Sequence, residues 1–282
     1  MAIQGNVIDN DPYIRQSIRE ISSSTGDDVS VYNKQKSLIK FGRTTNADAA
    51  TKTTVALFQG TEINETFATG NSIDYVVSSS GSDTEIVTVE GHTVDGSGNM
   101  TFVTQNVTLN GQTPVALTTP LYRSNRVFVP KQTYASPASA LVGNIHVYDA
   151  TVATGVTAGV PNVATATKIM IAAGKNQSEK CATSVSSTDY WIITEIFASV
   201  SRSSPVSAKA DIDVEYKEVG GVWRPLGFEI SLDQASGPFV HDEMRPHFWI
   251  PKNSDVRMVI TSDTNDTKAT GYIAGYLASV TS

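Results

Sequence analysis

The segment from Asp83 to Val129 restricts the fold of this chain more than any other part of the sequence. It contains two runs of alternating β-branched residues, and these runs are interrupted by Asp95-Gly96 and Asn110-Gly111. Both dipeptides tolerate positive φ and favour tight hairpin turns between strands. The segment therefore predicts a β-meander.

The same pattern extends on both sides of the meander. Strand-like runs separated by Gly, Asn and Pro recur between Thr53 and Asp149, at the spacing of roughly 8–12 residues that is typical of a β-sandwich or barrel. Residues 151–166 are rich in Gly, Ala, Thr and Val and show no clear period. We interpret them as a linker or a long surface loop.

Longer strand-like runs follow in the last part of the chain. Two of them, Lys209–Val219 and Val222–Leu232, flank Gly220-Gly221 as expected of a two-residue hairpin turn. The number and length of these runs indicate a jelly-roll-like β-sandwich. We therefore predict a mostly β protein with two β-sandwich or jelly-roll-like domains and a short N-terminal helical arm. The predicted divisions are an arm over residues 1–52, a β-meander or sandwich domain over 53–150, the linker or loop over 151–166, and a jelly-roll-like domain over 167–282.

A short amphipathic helix is predicted near the N terminus. Asp11 followed by Pro12 is typical of the start of a helix, and Ile14, Ile18 and Ile21 repeat at a spacing that places them on one helical face. A helix of about ten residues is marginal alone, so it has to pack on something. Its partner is either the chain's own β domain or a neighbouring subunit, which the polar segments that follow would let it reach as an arm.

A local basic cluster follows the predicted helix. It consists of Lys34, Lys36, Lys40 and Arg43, and it is either a solvated loop or a patch that meets an acidic partner. Together with Ile14, Ile18 and Ile21, these four residues are our candidates for binding a partner.

Overall composition argues against several classes of function. The formal net charge of −7 disfavours broad binding to nucleic acid or to an anionic membrane, because such surfaces recruit clustered Lys and Arg. Only 17% of the residues are charged, which is below the roughly 25% of typical soluble domains and fits a surface occupied by neighbouring subunits. Cys181 is the only cysteine, so an internal disulfide is excluded. We find neither a secretory signal nor an apolar run of bilayer-spanning length.

The segment from Asp83 to Val129 also carries a recognisable motif. A strand ends in Leu109-Asn110-Gly111-x-Thr113-x-Val115 and is followed by a strand that contains arginine. Weaker motifs begin at Gly174, Thr188 and Ile250. Together they resemble structural proteins of tailed bacteriophages, in particular marine or cyanophage-like virion proteins of the capsid-decoration or head-associated type.

The resemblance implies a non-enzymatic virion structural protein, such as a capsid decoration, cement, vertex or collar component. We expect a homo-oligomer, with a trimer favoured, that contacts the major capsid protein or other virion proteins. Its location would be the virion, after assembly in the host cytoplasm. No nucleic-acid or membrane partner is expected.

Two groups of side chains are candidates for a metal or catalytic site. Asp211, Asp213 and Glu215 alternate with apolar residues, so they share one strand face that either binds a divalent cation or is simply solvated. The segment His241–His247, with His241, Asp242, Glu243 and His247, is bracketed by prolines and is predicted to be a loop, whereas the zinc pairing of two His residues four apart needs a helix. No cofactor, metal or catalytic residue is predicted, and enzyme activity is disfavoured.

A binding module is the alternative function. Trp191, Trp223 and Trp249 lie in or beside predicted strands. Exposed on one face, they would stack against sugar rings in a receptor-binding or carbohydrate-binding module of a tail fibre or spike; buried, they belong to a core or an interface. A glycan-degrading enzyme with two dispersed carboxylates is a third hypothesis, which the sequence does not exclude.

Overall fold

The chain forms an almost entirely β structure, which confirms the predicted fold class. The computed structural model describes residues 32–56, 67–130, 141–202 and 208–280. The strands are β1 (Tyr32–Ala47), β2 (Lys52–Thr54), β3 (Ile73–Ser78), β4 (Ile86–Val94), β5 (Met100–Thr108), β6 (Val115–Leu121), β7 (Arg123–Phe128), β8 (Ile145–Asp149), β9 (Val156–Thr157), β10 (Val160–Pro161), β11 (Thr167–Ile171), β12 (Ala182–Ser184), β13 (Asp189–Ser201), β14 (Lys209–Glu218), β15 (Arg224–Asp233), β16 (Phe239–Ile250), β17 (Ser254–Ser262) and β18 (Thr267–Val280). One short helix, α1 (Ala150–Ala153), and a 3-10 turn (Ala164–Ala166) are also present. Within these ranges, no helix is long and apolar enough to cross a membrane.

Strands β1 and β2, together with strands β12 to β18, form two sheets of a jelly roll. The strand order is β1-β18-β13-β16 in the first sheet and β12-β17-β14-β15 in the second sheet, where β2 also pairs with β17. Since β2 and β12 bind successive parts of the same edge of β17, they act as two halves of one strand. The jelly roll then has eight strands, with β2 and β12 together counted as the second strand. Numbered in chain order, they form one sheet with the strand order 1-8-3-6 and one with the order 2-7-4-5, which is the arrangement of a jelly roll.

A second sandwich is inserted between the two halves of that divided strand. It is built from the sheets β11-β8-β3-β6 and β5-β4-β7. The inserted sandwich thus leaves the jelly roll after β2 and returns to it at β12. Cys181 N donates to Val55 O across the point where the chain leaves and returns.

The structure assigns two segments differently from the sequence analysis. Residues 32–47, predicted as part of an arm, form β1, which pairs with β18 from Tyr32↔Val280 to Ala47↔Thr267. Strand β11, predicted in the last domain, belongs to the inserted sandwich through its pairing with β8. Both differences come from pairing between residues far apart in the sequence. The predicted helix with Ile14, Ile18 and Ile21 lies outside the described residues.

The predicted meander is only partly correct. Asp95-Gly96 turns between β4 and β5, which pair directly with Val94 opposite Met100. Gly111 adopts a positive φ of 55° as expected, but its turn carries the chain to β6 in the opposite sheet rather than closing a hairpin. Strand β4 pairs on its other side with β7, so the chain crosses between sheets within the segment.

Each sandwich has its own apolar core. In the jelly roll, the alternating inward residues of β13, β14 and β17 belong to one buried cluster, which includes the fully buried Trp191 of β13. In the inserted sandwich, Val and Ile side chains from β3, β4, β8 and β11, together with Leu side chains from β6, fill the space between the sheets. This division of the core supports the description of two packed units in one chain.

Charged and polar groups join the two sandwiches. Arg123 of the inserted sandwich forms a bidentate pair with Asp255 of the jelly roll, in which Nε and Nη2 lie 2.8 Å from the two carboxylate oxygens. Both side chains are almost completely buried. Met100 N also donates to Asn253 Oδ1 at 2.8 Å. The relative position of the two units is therefore held by specific hydrogen bonds.

Candidate functional site

The predicted basic cluster does not form one patch. Lys36 and Lys40 lie at even positions of β1, whereas Arg43 lies at an odd position, and successive side chains of a strand point to opposite faces. Lys36 is exposed and Lys40 is only 7% exposed; the side chain of Lys34 is outside the described part of the structure. The interpretation of this segment as a solvated loop is wrong, because it is the longest strand of the described chain.

Arg43 forms an ion pair within the chain. Its Nε lies 2.6 Å from Glu179 Oε2, in an ion pair whose angles are not those of a hydrogen bond. This pair ties β1 to the segment that leads into β12. Arg43 is therefore held within the chain.

Lys36 and Lys40 line a groove between the two sandwiches. One wall is β1 of the jelly roll, and the other is formed by β4 and β7 of the inserted sandwich through Glu90 and Asn125. The groove has two adjoining cavities of about 320 and 510 Å³. Clefts of this size at domain junctions are common ligand sites. We call it the junction groove.

Lys40 is the central charged group of the junction groove. Its Nζ donates to the backbone carbonyl of Asn125 at 2.7 Å. Burial, together with the positive charges of Lys180 and Arg126, lowers the pKa of Lys40 to about 7, while Glu90 opposes this shift. At neutral pH the amine is therefore close to half protonated.

His92 lines the smaller cavity of the junction groove, beside Lys40. The side-chain amide of Asn125 lies 2.9 Å from His92 Nδ1 and donates to it, since burial lowers the pKa of His92 to about 4 and the ring is neutral at pH 7. The ring also makes an edge contact with Phe102, which is 44% exposed at the groove mouth. The site thus combines a buried amine, a neutral imidazole and an apolar rim.

The outer face of the first sheet carries a row of aromatic residues. Phe41, Tyr272, Phe197 and His241 lie directly opposite one another across β1, β18, β13 and β16. Three strand spacings of about 4.8 Å give the row a length of roughly 14 Å. The rings of Phe197 and Tyr272 stack with centroids 5.4 Å apart.

Large apolar side chains flank this row on the same face. Ile39 is 62% exposed, Phe239 is 64% exposed and Phe41 is 37% exposed. Ile39 and Phe41 stand on β1, which is an edge strand of the described sheet. We call these residues, together with the aromatic row, the aromatic face.

One polar cluster is set into the aromatic face. His241 Nε2 lies 2.5 Å from Glu195 Oε1, and Tyr272 Oη donates to the same oxygen. These contacts lower the pKa of Glu195, with the tyrosine hydrogen bond as the main cause. Burial and the adjacent carboxylate raise the pKa of Tyr272 to about 12. The cluster fixes the orientation of two members of the aromatic row.

The structure does not assemble the other groups considered from the sequence into a metal site. The segment with His241, Asp242, Glu243 and His247 forms strand β16 rather than a loop, so its side chains alternate between faces. Glu215 is taken up by ion pairs with Arg257 and Lys52. Among the described residues, no group of three or more His, Cys, Asp or Glu could hold a metal ion.

The tryptophans do not form an open platform. Trp191 is fully buried, and Trp249 is half-buried against Tyr190. Trp223 is half-buried, with the Arg257 guanidinium 3.9 Å and Lys217 Nζ 5.1 Å from its ring centroid. The arrangement does not give the exposed stacking surface that the carbohydrate-binding alternative requires.

Comparisons with known proteins give little further information. No family model matches the chain, and no curated protein sequence matches it. A solved structure of the infectious bursal disease virus VP2 subviral particle aligns with 96% of this chain and 78% of its own chain, at 10% identity and a TM-score of 0.22. The structure of the Gx strain of the same virus aligns with 94% of this chain and 78% of its own chain, at 12% identity and a TM-score of 0.22. Backbones that superpose this poorly carry no argument about the function of this chain.

Proposed function

We propose that this protein is a non-enzymatic virion structural protein that forms homo-oligomers through the aromatic face. The observation that carries the proposal is the row of four opposed aromatic residues flanked by Ile39 and Phe239 on the outside of a jelly roll. Jelly rolls are common in viral capsid proteins, and also in lectins and cupins. The resemblance of the sequence to virion proteins of tailed bacteriophages favours the first of these.

The chemistry of the aromatic face fits an interface between subunits. Aromatic residues are enriched at the centres of protein interfaces, while charged residues are depleted there. Phe41 and Phe239 supply large apolar side chains, and the polar tips of Tyr272 and His241 are already hydrogen-bonded to Glu195. Burial of the face therefore leaves no charged group of this cluster without a partner. The edge position of β1 offers further backbone groups to a neighbour.

Within a virion, we place the protein on the capsid or at the junction between head and tail, as a decoration, cement, vertex or collar component. The expected partners are further copies of the chain, with a trimer favoured, and the major capsid protein or other virion proteins. The N-terminal segment with Ile14, Ile18 and Ile21 remains a candidate anchor to that surface. A variant that lacks residues 1–31 tests this anchor. If it binds capsid particles as tightly as the full chain does, the N-terminal segment is not the anchor.

Substitution of the aromatic face tests the proposal. Ile39→Ser and Phe239→Ser each remove an exposed apolar side chain from the face, and Val222→Ser removes one that is 69% exposed in the turn between β14 and β15. We expect each face variant to weaken self-association at least tenfold, about 1.4 kcal/mol, and the Val222 variant to leave it unchanged. Sedimentation velocity over a concentration series measures the association constant. Equal behaviour of all three variants would contradict the proposal.

A glycan-binding screen separates this function from the carbohydrate-binding alternative. The half-buried rings of Trp223 and Trp249 leave little flat surface for a sugar, so we expect no retention on a glycan array. Saturable binding to a defined glycan, with the native mass of a monomer, would favour the alternative.

A further inference from the structure

The junction groove contains a buried amine with unused hydrogen-bonding capacity. Lys40 Nζ reaches one acceptor among the described residues, the carbonyl of Asn125 at 2.7 Å, although an ammonium group has three donors. Lys40 is 7% exposed, and it lines both cavities of the groove. A buried ammonium with a single acceptor is unfavourable unless something else supplies negative charge.

A second buried lysine beside it is satisfied in a different way. Lys180 Nζ donates to the carbonyls of Ser124 and Lys168 at 3.0 and 3.1 Å. Both lysines are buried to a similar degree and both line the larger cavity, yet Lys180 donates to two backbone carbonyls and Lys40 to one. The difference marks Lys40 as a group positioned for a ligand rather than for the fold.

The charges around the larger cavity are strongly unequal. Its lining includes four cationic side chains, which are Lys36, Lys40, Arg126 and Lys180, and one carboxylate, Glu90. This excess of positive charge occurs in a chain whose formal net charge is −7. In a partly desolvated cleft, such an excess attracts anions much more strongly than it would on an open surface.

We propose that the junction groove binds a small oxyanion, a sulfate, phosphate or carboxylate group, with Lys40 Nζ as the main donor. Lys36 and Arg126 add positive charge at the rim, and the cavities of about 320 and 510 Å³ have room for a ligand larger than the anionic group itself. The apolar side chains of Leu38 and Phe102 line the same space and would contact the rest of the ligand. Ile39 and Phe41 of the aromatic face also line the larger cavity, so the site adjoins that face, although Lys40 stands on the opposite face of β1.

Anion binding should depend on pH through Lys40. The titratable and charged groups that line the groove or act on Lys40 are Lys36 on its own strand, Glu90 and His92 on β4, Arg126 on β7, Lys180 and Cys181 before β12, and Asp189 on β13. Of these, His92 and Cys181 have pKa values of about 4 and about 12, so neither changes its charge near pH 7. An oxyanion that requires the protonated form of Lys40 should therefore bind about tenfold more weakly at pH 8 than at pH 6.

The first test uses the unmodified chain with selectively labelled lysines. The pKa of each lysine is followed by nuclear magnetic resonance in a chloride buffer free of oxyanions, with and without sodium sulfate at constant ionic strength. Sulfate keeps its charge across this range, unlike phosphate. We expect sulfate to raise the pKa of Lys40 and to shift its signal in a saturable way. An unchanged Lys40 signal in the presence of 100-fold excess sulfate and, separately, of acetate would overturn the proposal.

A matched pair of variants then tests the location. Lys40→Met removes the charge from the groove, and Lys252→Met removes the same charge from an exposed position outside it. Sulfate and acetate affinities measured by calorimetry should fall at least tenfold in the first variant and stay unchanged in the second. The tighter of the two probes identifies the class of anion. Equal losses in both variants would show that only the overall charge matters, and would contradict the assignment.

Discussion

The buried pair between Arg123 and Asp255 gives the sharpest prediction about what holds the two sandwiches together. Arg123 is 3% exposed and Asp255 is fully buried. Arg123→Met removes two charge-assisted bonds of 2.8 Å to the carboxylate and two bonds, of 2.6 and 2.9 Å, to the carbonyls of Ala68 and Tyr122. The carboxylate of Asp255 then retains a hydrogen bond from Ser184 Oγ at 2.7 Å and an ion pair with Lys217 Nζ at 3.9 Å.

The expected cost follows from leaving a buried carboxylate without its main counter-charge. Breaking such a pair from one side typically costs about 3–5 kcal/mol, whereas replacing both partners by apolar groups is often close to neutral. We therefore expect Arg123→Met to lower the free energy of unfolding by about 3–5 kcal/mol. The double variant Arg123→Met with Asp255→Leu should recover at least half of that loss.

Urea unfolding followed by fluorescence and circular dichroism measures these values. The control is Lys209→Met, which removes the cation of a pair with Asp233 at 3.7 Å, where the lysine side chain is 66% exposed. Exposed pairs contribute about 0–1 kcal/mol. A loss for Arg123→Met as small as that of the control would refute the claim that this pair stabilises the junction.

Three further predictions concern buried positions of β1 and its neighbour. The pKa of Lys40 is about 7 in the folded chain against 10.5 for a free lysine, so the unfolded chain binds more protons between these pH values and the free energy of unfolding should rise with pH across that window. Relative to Lys40→Met, the gain is at most roughly 5 kcal/mol. Urea unfolding of both proteins from pH 6 to 10 measures the gain, and parallel curves would contradict the assignment. A Cβ at Gly42 would lie 2.1 Å from Val55 O, so Gly42→Ala should cost about 1–3 kcal/mol or more, while Gly96→Ala, where no atom lies within 4 Å, should change the unfolding free energy by about 0.5 kcal/mol or less. Burial raises the pKa of Cys181 to about 12, so a disulfide reagent at pH 8 should modify it only after denaturation, and rapid labelling of the native chain would show that the strand junction opens.

The sequence predicted the strands well where the signal is local. Alternating residues and Gly220-Gly221 correctly indicated β14 and β15 as neighbours joined by a turn. The division of one jelly-roll strand into β2 and β12 could not be predicted, because both halves are short and their common partner β17 lies far along the chain. No local sequence pattern indicates with which distant strand β2 and β12 pair.

The candidate site was only partly accessible from sequence. The even spacing of Lys34, Lys36 and Lys40 is a two-residue period that indicates one strand face, and Arg43 falls out of phase. The prediction of a single basic cluster missed this signal. The groove itself depends on Glu90 and Arg126, which come from the inserted sandwich. Their approach to β1 is a consequence of tertiary packing.

The aromatic face has a similar origin. Phe41, Phe197, Tyr272 and His241 are single aromatic positions in four separate strands, and only the register of the first sheet aligns them. The hypothesis of an exposed stacking surface rested on the three tryptophans instead, because their rings are the largest. Partly exposed Phe and Tyr residues gave no comparable signal.

The native mass of the full chain tests the central claim most directly. Native mass spectrometry at low micromolar concentration should give a defined homo-oligomer, with a trimer favoured, and the combined variant Ile39→Ser, Phe41→Ser and Phe239→Ser should give a folded monomer. A monomer for the unmodified chain, or an oligomer that survives these three substitutions, would contradict assembly through the aromatic face.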